Sequence, residues 1–135
     1  MGDLSTHFSK SEFSCHCGKC GGMIDKLDMK LIAALEALRL CVGPIIVNDG
    51  VRCPAHNKAV GGVQERINKR TGKPIAGSGS QHLYGRAADI RSPKLTPEQL
   101  AAEAERVPEF KNGGIGIYKT FVHVDVRGFR ARWQG

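Results

Sequence analysis

Apolar residues recur every three or four positions through "DKLDMKLIAALEALRLCVG", residues 25–43. Leu27, Leu31, Leu35 and Leu38 fall on one face, and Gly43 followed by Pro44 ends the run. This period predicts an amphipathic helix with one buried side. "LTPEQLAAEAERV" (95–107) predicts a second helix with a full set of start signals. Thr96 is the N-cap, Pro97 takes the first helical position, Gln99 closes a capping box, and Leu95 can staple onto Leu100. Near the start of the chain, Ser9 and Glu12 form a second capping-box pair for a short helical turn.

Elsewhere the period changes to two. "FVHVDVRG" (121–128) alternates, so Val122, Val124 and Val126 share one strand face and Phe121, His123, Asp125 and Arg127 the other. The valine face is the core side. "GGIGIY" (113–118) precedes it, and the two read as a hairpin joined at Lys119–Thr120. "IIVND" (45–49) reads as a buried strand and "GRAADIRS" (85–92) as another. Residues 50–80 between them are loop-rich, and long loops in compact domains usually carry function. Helices and strands mix without a βαβ rhythm, which predicts an α+β domain with helices packed on one side of an antiparallel sheet. The 135 residues suit one domain: a Cys- and Gly-rich segment over 1–24 and a core over 25–135.

Composition narrows the picture only slightly. Hydrophobic (41%) and charged (24%) fractions are those of ordinary globular chains. No apolar run reaches the roughly 18 residues of a membrane helix, and "MGDLSTHFSK" lacks the basic and apolar regions of a secretory signal. Synthesis in the cytoplasm, no membrane insertion and a monomer are expected. A net charge of +7 favours an anionic partner: nucleic acid, anionic lipid or an acidic wall polymer. The basic residues are scattered apart from "ERINKRTGKP" and carry no interleaved aromatics, so nucleic acid is not the expected partner. Five cysteines, an odd number, argue against a full disulfide framework.

The chemistry gathers at "SQHLYGRAADI" and "FVHVDVR". Zinc accepts imidazole nitrogen and carboxylate oxygen, and a catalytic site typically has three protein ligands and one open position. His82, Asp89 and His123 make such a set and leave the ion a net positive charge, hence a strong Lewis acid. From the residues alone the alternative stays open: a surface histidine, a turn glycine and a strand-ending aspartate. "CHCGKC" adds Cys15, Cys17 and Cys20, which with the distant Cys53 match a four-thiolate structural zinc site. Only one such knuckle is present instead of a pair, so a local disulfide or free thiols is the expected state. His7, His16 and His56 have no evident partners and read as surface histidines.

"SQHLYGRAADI", then "GIGIY" and "FVHVDVR", resembles the zinc D-Ala-D-Ala carboxypeptidases and their peptidoglycan-cleaving relatives, among them phage L-alanoyl-D-glutamate endolysins. The hedgehog signalling domain shares that metal fold. The similarity extends over "FSKSEFSCHCGKCGG" and "VNDGVRCPAHNKAVGG", nearly the whole chain, and is nearest to the compact single-domain branch. It implies one catalytic zinc on His82, Asp89 and His123. It also implies that Arg52 orients substrate or stabilises an oxyanion, against a structural alternative in which Arg52 pairs with Asp49. Ser80, Gln81 and Asn57 are expected as substrate contacts or supports of the ligands. Many relatives carry a glutamate base three residues before the last histidine, where this chain has Thr120; Asp125 is the expected substitute, the alternative being that it only orients a histidine.

The resemblance thus implies a zinc metallopeptidase hydrolysing stem peptides of peptidoglycan, acting at the cell wall if released as in phage lysis. Two other readings stand beside it: a non-catalytic zinc-stabilised domain that binds wall peptide or a protein, and a basic nucleic-acid module.

Overall fold

Asp28 sets the start of the long helix. Its carboxylate accepts a hydrogen bond from Lys30 N at 2.9 Å, and in the computed structural model, which describes residues 2–135, helix α2 runs Met29–Val42. The predicted first turn is instead a 3-10 turn over Ile24–Lys26, which leaves Leu27 ahead of the helix but still packed on the core. Gly43, at φ 79°, ends α2 in a conformation that a side chain would oppose. Before α2, Ser9 N–H donates to Glu12 Oε2 at 2.7 Å and opens helix α1 (Lys10–Phe13). Helix α3 (Pro54–Ala59) forms inside the stretch read as loop.

Helix α4 (Pro97–Ala104) has the predicted capping box, with Gln99 N donating to Thr96 Oγ1 at 3.2 Å and Thr96 N to Gln99 Oε1 at 3.0 Å. It ends earlier than the period suggests, because Pro108 cannot continue an established helix and starts the short α5 (Pro108–Lys111).

Five strands, β1 (Ile46–Asp49), β2 (Ala87–Arg91), β3 (Gly114–Ile117), β4 (Val122–Asp125) and β5 (Ala131–Gln134), form one sheet in the order β1-β2-β4-β3-β5. Every pairing is antiparallel except β3 with β5. β5 was not predicted: "ARWQ" on a half-exposed sheet edge has no apolar alternation to reveal it. β1, expected to be buried, is the other edge strand and keeps Ile46 36% exposed. β3 and β4 form the predicted hairpin, closed by Tyr118 N donating to Phe121 O at 2.9 Å.

One sheet face supplies Ala88, Ile90, Ile115, Val122 and Val124 to a single core with α2, α4 and Phe110. Phe8 and Phe13, edge to face with ring centroids 5.7 Å apart, lie in the same core, so the N-terminal segment is part of the domain. No helix among the described residues is long and apolar enough to cross a membrane. The opposite sheet face carries Asp89, His123 and Asp125, all buried.

Glu36 on α2 ties the N-terminal segment down and gives His7 the partner that the sequence did not show. Its Oε2 accepts from Ser5 Oγ at 2.5 Å and His7 N at 2.7 Å, and its Oε1 lies 2.6 Å from His7 Nδ1. Burial pushes the Glu36 pKa up, but the bonds from Ser5 and His7 outweigh it and hold it below the ordinary value. A depressed carboxyl pKa stabilises the fold above the unfolded value, and that stability is lost as pH falls through the folded one. Glu36→Gln is therefore expected to lose about 1 kcal/mol at neutral pH, a figure reduced for partial exposure. The loss should shrink below about pH 4.3, the ordinary glutamate pKa; urea denaturation at pH 7 and pH 3 measures it.

Candidate metal centre

The register of the sheet builds the site. Asp89 on β2 pairs directly with His123 on β4, and because strand side chains alternate, both project from the face opposite the core. Across the same row, His123 pairs with Gly116 on β3, and Gly116 with Trp133 on β5. His82 comes from the 3-10 turn Gln81–Tyr84 just ahead of β2. Gly85, at φ 69°, reverses the chain there, and a Cβ on it would lie 2.1 Å from Lys26 O. Only glycine allows that approach, and the reversal folds His82 back over Asp89.

The three side chains then converge. His82 Nε2 lies 3.2 Å and His123 Nδ1 3.3 Å from Asp89 Oδ1, and the three ligand atoms are all within 4.8 Å of one another. The two rings stand nearly perpendicular, 5.0 Å between centroids. Each outer ring nitrogen is already engaged: His82 Nδ1–H donates to Gly50 O at 2.7 Å and His123 Nε2–H to Asp125 Oδ2 at 2.7 Å. Those bonds fix tautomer and orientation, so each remaining lone pair faces Asp89, which is how histidine ligands to metal are usually held.

Electrostatics points the same way. Burial raises the Asp89 pKa, but the bonds and charges of His123 and His82 outweigh it and keep the carboxyl well below the usual range. Burial lowers the His123 pKa, yet Asp125 and Asp89 together push it up. Two imidazoles and one carboxylate with inward lone pairs fit a divalent cation of the zinc class.

Arg52 meets both roles weighed for it. Its Nε donates to Asp49 Oδ2 at 2.7 Å, Nη1 to Asn57 Oδ1 at 3.2 Å and Nη2 to Asp89 Oδ2 at 3.0 Å. It pairs with Asp49, holds the outer oxygen of Asp89, and lines the cleft above the cluster. Of the two roles weighed for Asn57, its position matches the supporting one: it is fully buried, with Nδ2 donating to Val63 O at 2.9 Å and Gln64 Oε1 at 2.6 Å. It secures Arg52 to the loop after α3.

Of the two roles weighed for Asp125, its position matches the orienting one. It is fully buried behind His123 and does not line the cleft. Besides His123 it accepts from Gly114 N at 2.8 Å and from Arg127 Nε and Nη2 at 2.9 and 2.7 Å. Burial raises its pKa, but His123 and Arg127 outweigh this and hold it well below the usual carboxylate range. Thr120 lies apart, beside Asn48 and Arg91.

The cleft has a volume of about 650 Å³, and Ser80 and Gln81 line it. Ser80 Oγ accepts from His82 N at 3.3 Å and so supports the ligand turn. Gln81 Oε1 is buried without a hydrogen-bond partner among the described residues. The far wall is aromatic: Trp133 lies 4.9 Å from the His123 ring, its Nε1 donating to Tyr118 OH at 2.9 Å, and Tyr118 stacks on Phe121 at 4.5 Å. A Cβ on Gly116 would lie 2.3 Å from Trp133 Nε1, so the glycine opposite His123 makes room for the indole. Sequence reasoning missed Trp133 and Tyr118; the available signal was Gly116, set between Ile115 and Ile117 in β3.

The cysteines also gather. No disulfide forms among the described residues; Cys15, Cys17, Cys20 and Cys53 lie with all four sulfurs within 4.8 Å of one another.

Compared with known proteins, residues 6–125 match the family model for Peptidase M15. No curated protein matches the chain.

Proposed function

The chain belongs to the Peptidase M15 family, and from that premise we propose that it is a zinc metallopeptidase hydrolysing peptide bonds in peptidoglycan stem peptides. The observation that carries this is the convergence of His82 Nε2, Asp89 Oδ1 and His123 Nδ1, each ring anchored on its far side. A zinc ion held there supplies Lewis acidity, lowering the pKa of water and drawing charge from a carbonyl.

The chain's own residues provide the rest. A guanidinium has five N–H donors, and Arg52 spends three of its own on Asp49, Asn57 and Asp89. Those left over suit a terminal carboxylate or a developing oxyanion at the cleft. Gln81 Oε1, buried and unpartnered, suits a backbone N–H of the bound peptide. Tyr118, whose oxygen already accepts from Trp133, keeps its own O–H to offer. The aromatic wall excludes water along one side, and the net charge of +7 favours approach to an anionic wall.

Asp125 is best read as the carboxylate that orients His123, because its oxygens are saturated and shut off from the cleft. Among the described residues Asp89 is then the sole carboxylate lining the cleft. That scarcity of proton acceptors favours one second reading, a zinc-stabilised domain that binds wall peptide without cutting it.

Mass spectrometry of purified peptidoglycan after incubation with the zinc-loaded protein tests the proposal. The expected products are two fragments whose masses sum to that of the stem peptide plus one water, absent when a chelator is present; the fragment masses also identify the bond. Unchanged muropeptides that nevertheless retain the protein would replace the enzyme with the binder. Arg52→Lys, which cannot reach three acceptors with a planar fork, is expected to keep zinc and lose about 10- to 100-fold in kcat/KM, the usual cost of disturbing a ligand's support. Steady-state kinetics beside a zinc assay checks it.

A further inference from the structure

We propose that Cys15, Cys17, Cys20 and Cys53 form a second, structural zinc site that fastens the N-terminal loop to the residue beside Arg52. The four sulfurs lie within 4.8 Å of one another, and Cys17 Sγ and Cys53 Sγ are 3.7 Å apart. A disulfide needs about 2.0 Å, so this spacing is not that of a bond. A tetrahedron with zinc–sulfur distances of about 2.3 Å has edges of about 3.8 Å, close to the Cys17–Cys53 distance.

Backbone donors face the sulfurs as they would face thiolates. Cys53 N approaches Cys15 Sγ, Lys19 N approaches Cys17 Sγ and His56 N approaches Cys53 Sγ, each at 3.4 Å. The loop is shaped for this. Cys15 N donates to Gly22 O at 2.7 Å, and Gly18, Gly21 and Gly22 all have positive φ, which lets the turn curl the thiols inward. Apart from Cys15, no residue from 14 to 23 is buried, so the loop has no apolar core to offset the entropy of ordering it. Binding a cation would supply that free energy. Four sulfur ligands in this arrangement suit zinc, or iron, and not the hard oxygen-seeking divalent ions.

The anchor has a structural consequence. Cys53 adjoins Arg52 and caps α3, whose Asn57 accepts from Arg52 Nη1. An ion on the four sulfurs therefore braces the arginine that holds Asp89, without touching the cleft itself. This inference does not rest on the peptidase reading.

The test counts metal in the purified chain by mass spectrometry. Two zinc per chain are expected, falling to one in His82→Ala/His123→Ala and to one in Cys17→Ser/Cys20→Ser. Should the cysteine variant fail to fold, cobalt substitution of the histidine variant serves instead. It is expected to show a strong sulfur-to-cobalt charge-transfer band, with the four thiols protected from alkylation while exposed Cys41 reacts. A histidine variant that holds no metal, gives no thiolate band, or loses all five thiols to alkylation at one rate would overturn the proposal, and stoichiometric iron at the site would overturn its assignment to zinc.

Discussion

His82→Ala and His123→Ala are each expected to lose zinc from the His–Asp site and to lower kcat/KM by on the order of 10³-fold, the equivalent of several kcal/mol of Lewis-acid stabilisation. The effect should be this large because the three ligands are not interchangeable. Asp89 Oδ1 is the shared point that both ring nitrogens face, at 3.2 and 3.3 Å, and neither alanine leaves a nearby donor to take the vacant place. Both substitutions also remove a ring anchored deep in the fold, so Gly50 O or Asp125 loses its hydrogen-bond partner. Zinc content by mass spectrometry and activity on muropeptides are measured together. Full activity in either variant would remove the histidine from the site.

Asp125→Ala is expected to have the largest effect on stability. Asp125 has no exposed surface, and its removal strips partners from Arg127, Gly114 N and His123 at once. Breaking such a buried pair typically costs 3–5 kcal/mol; because the Arg127 side chain is 19% exposed, the lower end, about 3 kcal/mol, is expected. Zinc affinity should fall about 10- to 100-fold, as when the support of a ligating histidine is removed. Asp125→Asn keeps an acceptor for His123 and should be milder in both respects, with turnover largely regained at saturating zinc. A proton-accepting Asp125 predicts the reverse: normal zinc affinity, a normal Tm and no turnover in the asparagine variant. Thermal unfolding, zinc titration and kinetics on the same samples separate the two.

The contrast over Asp125 shows where sequence reasoning stops. Period two placed His123, Asp125 and Arg127 on one face of a strand, and that face is the correct one. Period does not tell which of those side chains opens to the cleft. That is decided by the neighbours: Gly114 N on β3 and Arg127 just past β4 close over Asp125, and Trp133 on β5 covers the ground beside His123. β5 itself is half exposed and carries charge, so no apolar rhythm marks it. The α+β class, α2, α4 and the hairpin were legible because local signals sufficed: a four-residue period, a proline at the first helical turn, alternation. For Asn57 the sequence left open whether it touches substrate or supports the ligands; its burial depends on Gly62 approaching so closely that a Cβ there would lie 2.1 Å from Asn57 Oδ1. Such close approaches turn on the exact path of the loop and have no counterpart in a period of apolar residues. The cysteines differ: the sequence named the same four as a possible set, and the packing of α3 against the N-terminal loop is what brings Cys53 to the knuckle.

The central claim is that one ion joins the turn before β2 to the middle of β4. Crystals of the zinc-loaded chain, measured on both sides of the zinc absorption edge, test it most directly. The account predicts an anomalous peak within bonding distance of His82 Nε2, Asp89 Oδ1 and His123 Nδ1, with Asp125 outside that distance. Zinc-saturated crystals with no peak there, or a peak whose ligands exclude His123, would contradict it.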